Sequence, residues 1–260
     1  MRRKREDMSN LKFFLMLKEP SLRLENHYHQ IMTTSYIKFG LIFCALFILS
    51  PSIAQSDFTG YLQPQISVNH KISPLYTTNF SVSNRTYFYK EDALQLQTRQ
   101  VDFAHFSDLK IATNKSIALG VQYRFRAPFE KEKENELRIT EQYNYKFKPN
   151  NIRYGLRTRI EQRISPSLTT HRFRGRLAAD VPLKGEKLDI GEPYLIFSTE
   201  SLLSLARTKK PSYDQRFSSQ IGYKLNSNTK LQVGLEYRLE DYNKQLAQVF
   251  FLNSTLVFTL

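Results

Sequence analysis

The chain has 260 residues, a formal net charge of +14 and a single cysteine. One cysteine excludes a disulfide framework and a cysteine-based metal site. The basic excess would suggest nucleic acid in a soluble protein, so where the arginines fall decides what the charge means.

Residues 1–31 form a short polar stretch with a weak apolar cluster, Leu11 to Leu17, flanked by charges. Met32 reads as the true start. Lys38 then precedes an apolar run, Phe39 to Leu49, which Ser50-Pro51 breaks; Ser52-Ile53-Ala54 supplies the small residues that a signal peptidase reads. The run is shorter than the ~20 apolar residues of a spanning helix. We therefore expect residues 1–54 to be an upstream extension plus a cleaved signal peptide, with processing after Ala54. Cys44 lies inside that signal, and bulky Phe43 before it makes a poor lipoprotein acceptor. Residues 1–54 carry eight of the 38 Lys+Arg and four of the 24 Asp+Glu, so the remainder keeps a net charge of +10.

From residue 55 on, the pattern is alternation with a period of two. Ile117, Leu119, Val121, Tyr123 and Phe125 oppose Gly120, Gln122, Arg124 and Arg126. Leu137, Ile139, Tyr143, Tyr145 and Phe147 oppose Arg138, Thr140, Gln142, Asn144 and Lys146, with Glu141 an exception on the apolar side. In Ile152 to Ile164 the odd positions read Arg153, Gly155, Arg157, Arg159, Glu161 and Arg163, and the even positions are mostly apolar. Phe173, Leu177, Ala179 and Val181 oppose Arg172, Arg174, Arg176 and Asp180. Phe217, Ile221, Tyr223 and Leu225 oppose Arg216, Gln220 and Lys224; Leu231 to Leu239 opposes Gln232, Glu236, Arg238 and Glu240. A helix would scatter these charges around every face, whereas a strand sorts them. Repetition at regular spacing under one polarity rule indicates an all-β chain.

Weaker strands fill Phe58–Asn69, Leu94–His105, Tyr194–Leu203 and Gln248–Leu260. The second changes phase between Leu96 and Val101, which predicts a bulge. The count is ten, and the segment 71–91, strand-like at Arg85–Lys90, has room for two more. Segments of this length suit a tilted bilayer crossing, which takes about 9–11 residues. Apolar faces toward lipid and charged faces toward a polar interior give a transmembrane antiparallel up-and-down β-barrel of about ten strands, twelve being the alternative. The fifteen tyrosines and nineteen phenylalanines suit aromatic girdles. An even count fits single-chain bacterial barrels. Counted from a periplasmic N-terminus, the turns Pro149-Asn150-Asn151 and Asn226–Thr229 fall inside, the charged Pro128–Asn135 and Arg207–Tyr213 segments outside, and long Lys184–Glu192 in the periplasm. Leu252, Leu256, Phe258 and Leu260 share one face of the last strand, resembling the signal that outer-membrane assembly machinery reads. A lipocalin-like soluble barrel is the rival fold, but its interior is apolar.

The segment Arg157-Thr158-Arg159-Ile160-Glu161-Gln162-Arg163, followed by His171-Arg172-Phe173-Arg174-Gly175-Arg176-Leu177, resembles a family of bacterial outer-membrane proteins. That family is catalogued as domain of unknown function 2490 and is common in Bacteroidetes-type bacteria. The resemblance spans roughly Asp57 to Leu260. It implies a Gram-negative outer-membrane barrel with no established activity, and it offers no catalytic residues to carry over.

The candidate site is a charge network in the lumen: Arg153, Arg157, Arg159, Glu161, Arg163, Arg172, Arg174, Arg176, Asp180, Glu236, Arg238 and Glu240. Arginine's planar fork binds carboxylates bidentately, so such rows can fill a small barrel with ion pairs. The alternative use is a narrow anion-selective pore, since rings of arginine favour anions. An enzyme that hydrolyses lipid or peptide would need a serine beside a histidine base. Only His70, His105 and His171 remain after the signal, without lipase context or metal-ligand spacing, and no phosphate-binding or dinucleotide motif occurs. We therefore expect no enzyme, no cofactor, no metal and no nucleic-acid partner. The expected partners are outer-membrane lipid and, during insertion, the assembly machinery.

Overall fold

A computed structural model describes residues 58–185 and 188–260. Of the two units into which the chain divides, Met1–Ala54 and Gln55–Leu260, all described residues lie in the second. The signal-peptide and start-site expectations fall outside the described residues.

Eleven strands, and no helix among the described residues, close into one barrel. They are β1 (Phe58–Lys71), β2 (Tyr76–Lys90), β3 (Ala93–Ala112), β4 (Lys115–Phe125), β5 (Glu136–Phe147), β6 (Arg153–Ile164), β7 (Thr169–Pro182), β8 (Pro193–Ala206), β9 (Lys209–Lys224), β10 (Thr229–Glu240) and β11 (Ala247–Thr259). Each strand pairs antiparallel with its sequence neighbours, and β1 closes the ring against β11 in parallel, from Phe58↔Gln248 to Asn69↔Thr259. The count lies inside the expected range of ten to twelve, but it is odd. Segment 71–91, which has room for two strands, contributes one, β2. Parallel closure follows from that parity, because an odd number of reversals leaves the first and last strands pointing the same way.

The extra strand also changes the counting of ends. Connections 148–152, 183–192 and 225–228 still share one end of the barrel, now with the finish of β1 and Leu260; we call it the far end. Connections 91–92, 126–135, 165–168, 207–208 and 241–246 share the near end, where β1 starts. Counting from the start of β1 therefore assigns the turns opposite sides from the ten-strand count.

Local chemistry sets the hairpins. Glu91 and Asp92 both have positive φ (53° and 59°), the signature of the tight mirror-image turn whose twist matches its flanking strands. In the β4–β5 connection, Asn135 Oδ1 accepts hydrogen bonds from the amides of Arg126 (2.8 Å) and Ala127 (3.0 Å). The predicted bulge is present. Across β2, Arg85 pairs with Gln100 and Thr86 with Thr98, leaving Arg99 as the additional residue in β3.

The two faces of the wall differ in the sense opposite to a soluble core. Leu119, Phe217 and Leu235 point outward and are 65%, 49% and 48% exposed, whereas Glu161 and Arg138 point inward and are 2% and 7% exposed. Glu141 stands on the outer face, in register with Leu119 and Ile160. The buried apolar cluster is small and internal: Tyr61, Tyr87, Val249 and Phe251, where β1, β2 and β11 meet at the near end.

Candidate functional site

Adjacent strands in register carry inward side chains in rows. One row runs Asn144, Arg157, Arg176, Glu200 and Arg216 across β5 to β9, and the next begins Gln142, Arg159, Arg174. Guanidiniums therefore face each other on β6 and β7, and carboxylates from neighbouring strands decide which of them are neutralised.

Arg174 is the best-bound of these arginines. Its Nη1 donates to Glu161 Oε1 at 2.5 Å, and its Nη2 donates to Glu200 Oε2 at 2.7 Å and Oε1 at 2.9 Å. Arg216 also reaches Glu200 at 3.4 Å, and Arg159 lies 4.0 Å from Glu161 while donating to Gln142 at 2.5 Å. Toward the near end, Glu136 holds Arg138 at 2.5 Å and Arg163 at 2.8 Å. Asp102 holds Arg124 through two parallel bonds of 2.7 and 2.8 Å, the bidentate form that fixes direction as well as charge. Arg172 donates to Ser204 at 2.8 Å and lies 3.7 Å from Asp214. Arg153 pairs with Asp180 toward the far end, and Arg238 pairs with Glu236 and approaches Glu240 at 3.5 Å.

At the near end, aromatic rings also lie under guanidiniums. Tyr61 stacks on Phe251 with centroids 5.0 Å apart and lies 4.8 Å from Tyr87. Arg85 and Arg238 stand over Phe251 at 4.8 and 3.7 Å, and Arg99 over Tyr61 at 5.2 Å. Such contacts strengthen when water is excluded. The Arg99 bulge places adjacent residues to useful effect. Arg99 donates to the Tyr61 hydroxyl while Gln100 donates to Asp102 at 2.9 Å, which strict alternation would forbid.

Between the two ends lies a cavity of about 660 Å³. Its lining carries ten cationic and five carboxylate side chains. Of the twelve residues singled out from sequence, Arg157, Arg159, Glu161, Arg174, Arg176, Glu236 and Arg238 line it, while the other five do not. Arg163, Arg172 and Glu240 lie toward the near end, and Arg153 and Asp180 toward the far end. Sequence reasoning left several contributors out of the network. Arg124, Arg138 and Arg216 were visible on polar faces but were not counted. Glu136, Glu200 and Asp214, which supply much of the negative charge, lie where alternation is faint or at a strand's first residues. Arg99 lies in the segment whose phase is broken by the bulge, and Arg85 lies across from it on β2, in segment 71–91.

Among the described residues no group of three or more His, Cys, Asp or Glu side chains is arranged to hold a metal ion. His105 Nε2 lies 3.2 Å from Ser107 Oγ, but on the outer face, where the ring packs on Phe80 with centroids 4.4 Å apart. Asp108 faces the interior instead, accepting bonds from Ser116 (3.0 Å) and Asn144 (3.2 Å). The three consecutive chemical types in sequence thus stand on opposite sides of the wall.

The profile of the family described as "Protein of unknown function (DUF2490)" matches residues 64–248, more than half of the chain, and the chain belongs to that family. No curated protein matches it, and neither does any solved structure.

Proposed function

For this member of the DUF2490 family we propose an integral outer-membrane barrel whose interior is closed at one end by ion pairs and stacked rings. The observation that carries this is the inversion of polarity across the wall. Burying Glu161 and Arg138 while exposing Leu119, Phe217 and Leu235 is unfavourable in water and favourable in a bilayer. Every strand has at least the 11 residues of β4, enough for a tilted crossing. The role is structural and compartmental. The paired guanidiniums brace neighbouring strands, and Tyr61, Tyr87 and Phe251 obstruct the near end, so the barrel conducts little or nothing. We assign no catalytic step, in keeping with the separation of His105 and Ser107 from Asp108 across the wall.

The test is to refold residues 55–260 into lipid vesicles and into planar bilayers. Expected are a folded species that migrates differently from the heated chain in detergent gels, protection from external protease, and electrically silent bilayers. A chain that stays soluble and monomeric without detergent would sink the membrane proposal. Discrete openings would replace the closed barrel with an anion path.

A further inference from the structure

The interior charges are unevenly satisfied, and the unevenness is spatial. Arg157 and Arg176 face each other directly on β6 and β7. Directly opposed like charges destabilise a sheet unless something lies between them. Arg157 Nε donates to Asn144 Oδ1 at 3.2 Å, but among the described residues neither arginine forms an ion pair, nor does nearby Lys146. Glu200 is the register partner of Arg176, yet its oxygens are taken by Arg174 and Arg216.

The wall beside these three cations is built of small residues. In the neighbouring register row, Lys146 is followed by Gly155, Ala178, Ser198 and Ser218. A Cβ at Gly155 would meet nothing within 4 Å, so open space stands over that position. By contrast the interior glycines Gly120 and Gly222 are covered by the rings of Phe106 and Tyr194. The cavity is thus held open where the cations lack partners, and its volume of about 660 Å³ is in the range of small-molecule sites.

We propose that this cavity binds a small oxyanion carrying two or more negative charges, with Arg157 and Arg176 gripping it from adjacent strands and Lys146 facing it. Arginine's fork matches the oxygens of phosphate and carboxylate groups alike, so multiply charged phosphates and polycarboxylates share the required chemistry. The excess of cations over carboxylates in the lining selects for more than one charge. Asp108 and the bonded Ser198–Ser218 hydroxyl pair complete the polar wall. This site does not depend on bilayer insertion, only on the closed barrel.

The experiment is calorimetric and thermal titration of the micelle-refolded barrel with pyrophosphate and, separately, citrate, each against sodium chloride at equal ionic strength. Expected is a saturable rise in unfolding temperature and roughly one-to-one binding with one or both polyanions; whichever binds more tightly identifies the source class. Arg157→Gln and Arg176→Gln should each weaken binding about tenfold, the loss of one charged hydrogen bond. Exposed Lys131→Gln, in the near-end loop, should leave it unchanged. Arg176→Gln should also fold at least as stably as the parent without ligand, since it relieves repulsion. No saturable binding, binding that survives the Arg157→Gln/Arg176→Gln pair, or failure of Arg176→Gln to fold would each overturn the proposal.

Discussion

The Tyr87 hydroxyl donates to Glu130 Oε1 at 2.6 Å, joining strand β2 to the β4–β5 loop across 43 residues of sequence. Glu130 also lies 3.6 Å from Arg99. A loop carboxylate thus turns into the barrel and caps the stack of Tyr61, Tyr87 and Phe251. Removing it by Glu130→Ala should leave Arg99 without its carboxylate and lower stability by about 1–3 kcal/mol, the cost of a lost charge-assisted bond. Urea unfolding of the micelle-refolded variant measures this. Unchanged stability would mean that the loop rests on the barrel without holding it.

Glu161 neutralises Arg174 at 2.5 Å and is almost wholly buried. Glu161→Gln should cost about 3–5 kcal/mol, because a buried cation loses one of its two counter-charges. Glu132→Gln, in the exposed loop, should change stability by less than about 0.5 kcal/mol. Equal effects on the two unfolding midpoints would remove Glu161 from the network that holds the barrel.

The proposed lipid contact predicts an asymmetry between the faces of β10. Leu235→Arg places a charge on the outer band and should cost about 2–4 kcal/mol on folding into vesicles if Leu235 lies near the midplane. Gln232 points inward and donates to the Tyr194 hydroxyl at 2.8 Å, so Gln232→Ala should cost only about 1 kcal/mol. Similar penalties at both positions in vesicles would invalidate the assignment of the outer face to lipid.

One pH effect belongs to the near-end loops. Glu134 accepts hydrogen bonds from the Ser167 hydroxyl (2.7 Å) and amide (3.1 Å), which hold its carboxyl below the usual value of 4.5. The folded form therefore favours the ionised carboxylate. Its contribution is present above pH 4.5 and is lost as the pH falls below that value through the depressed pKa. Hydrogen exchange at the Ser167 amide should stay slow at pH 5 and above, then quicken in acid beyond the intrinsic rate change. Glu134→Gln should abolish that pH dependence, and a dependence that persists would assign it elsewhere.

How much was legible depended on contrast between strand faces. β6 and β7 stand out because arginines alternate with isoleucine, leucine and phenylalanine, and β10 because Leu231, Val233 and Leu235 recur at a period of two. β2 was hidden because both of its faces are mild. Thr77, Asn79, Ser81 and Ser83 line the interior, but Thr78, Asn84 and Thr86 interrupt the outer side. Missing that one strand altered the parity, and parity alone converts an antiparallel closure into the parallel β1–β11 seam.

The amino-acid order by itself determined the strand type and, in the strongly alternating strands, the polarity of each face and hence their inward arginines, since these follow from a period-two pattern within single segments. Tertiary structure decided the partnerships. Whether Glu200 serves Arg174 or its own register neighbour Arg176 depends on diagonal side-chain reach across the β7–β8 ladder, and nothing within one strand encodes it. The same holds for the contact of Arg99 with the Tyr61 hydroxyl and for the open space over Gly155. Charge satisfaction is a property of the closed ring, where residues far apart in sequence come within hydrogen-bond distance.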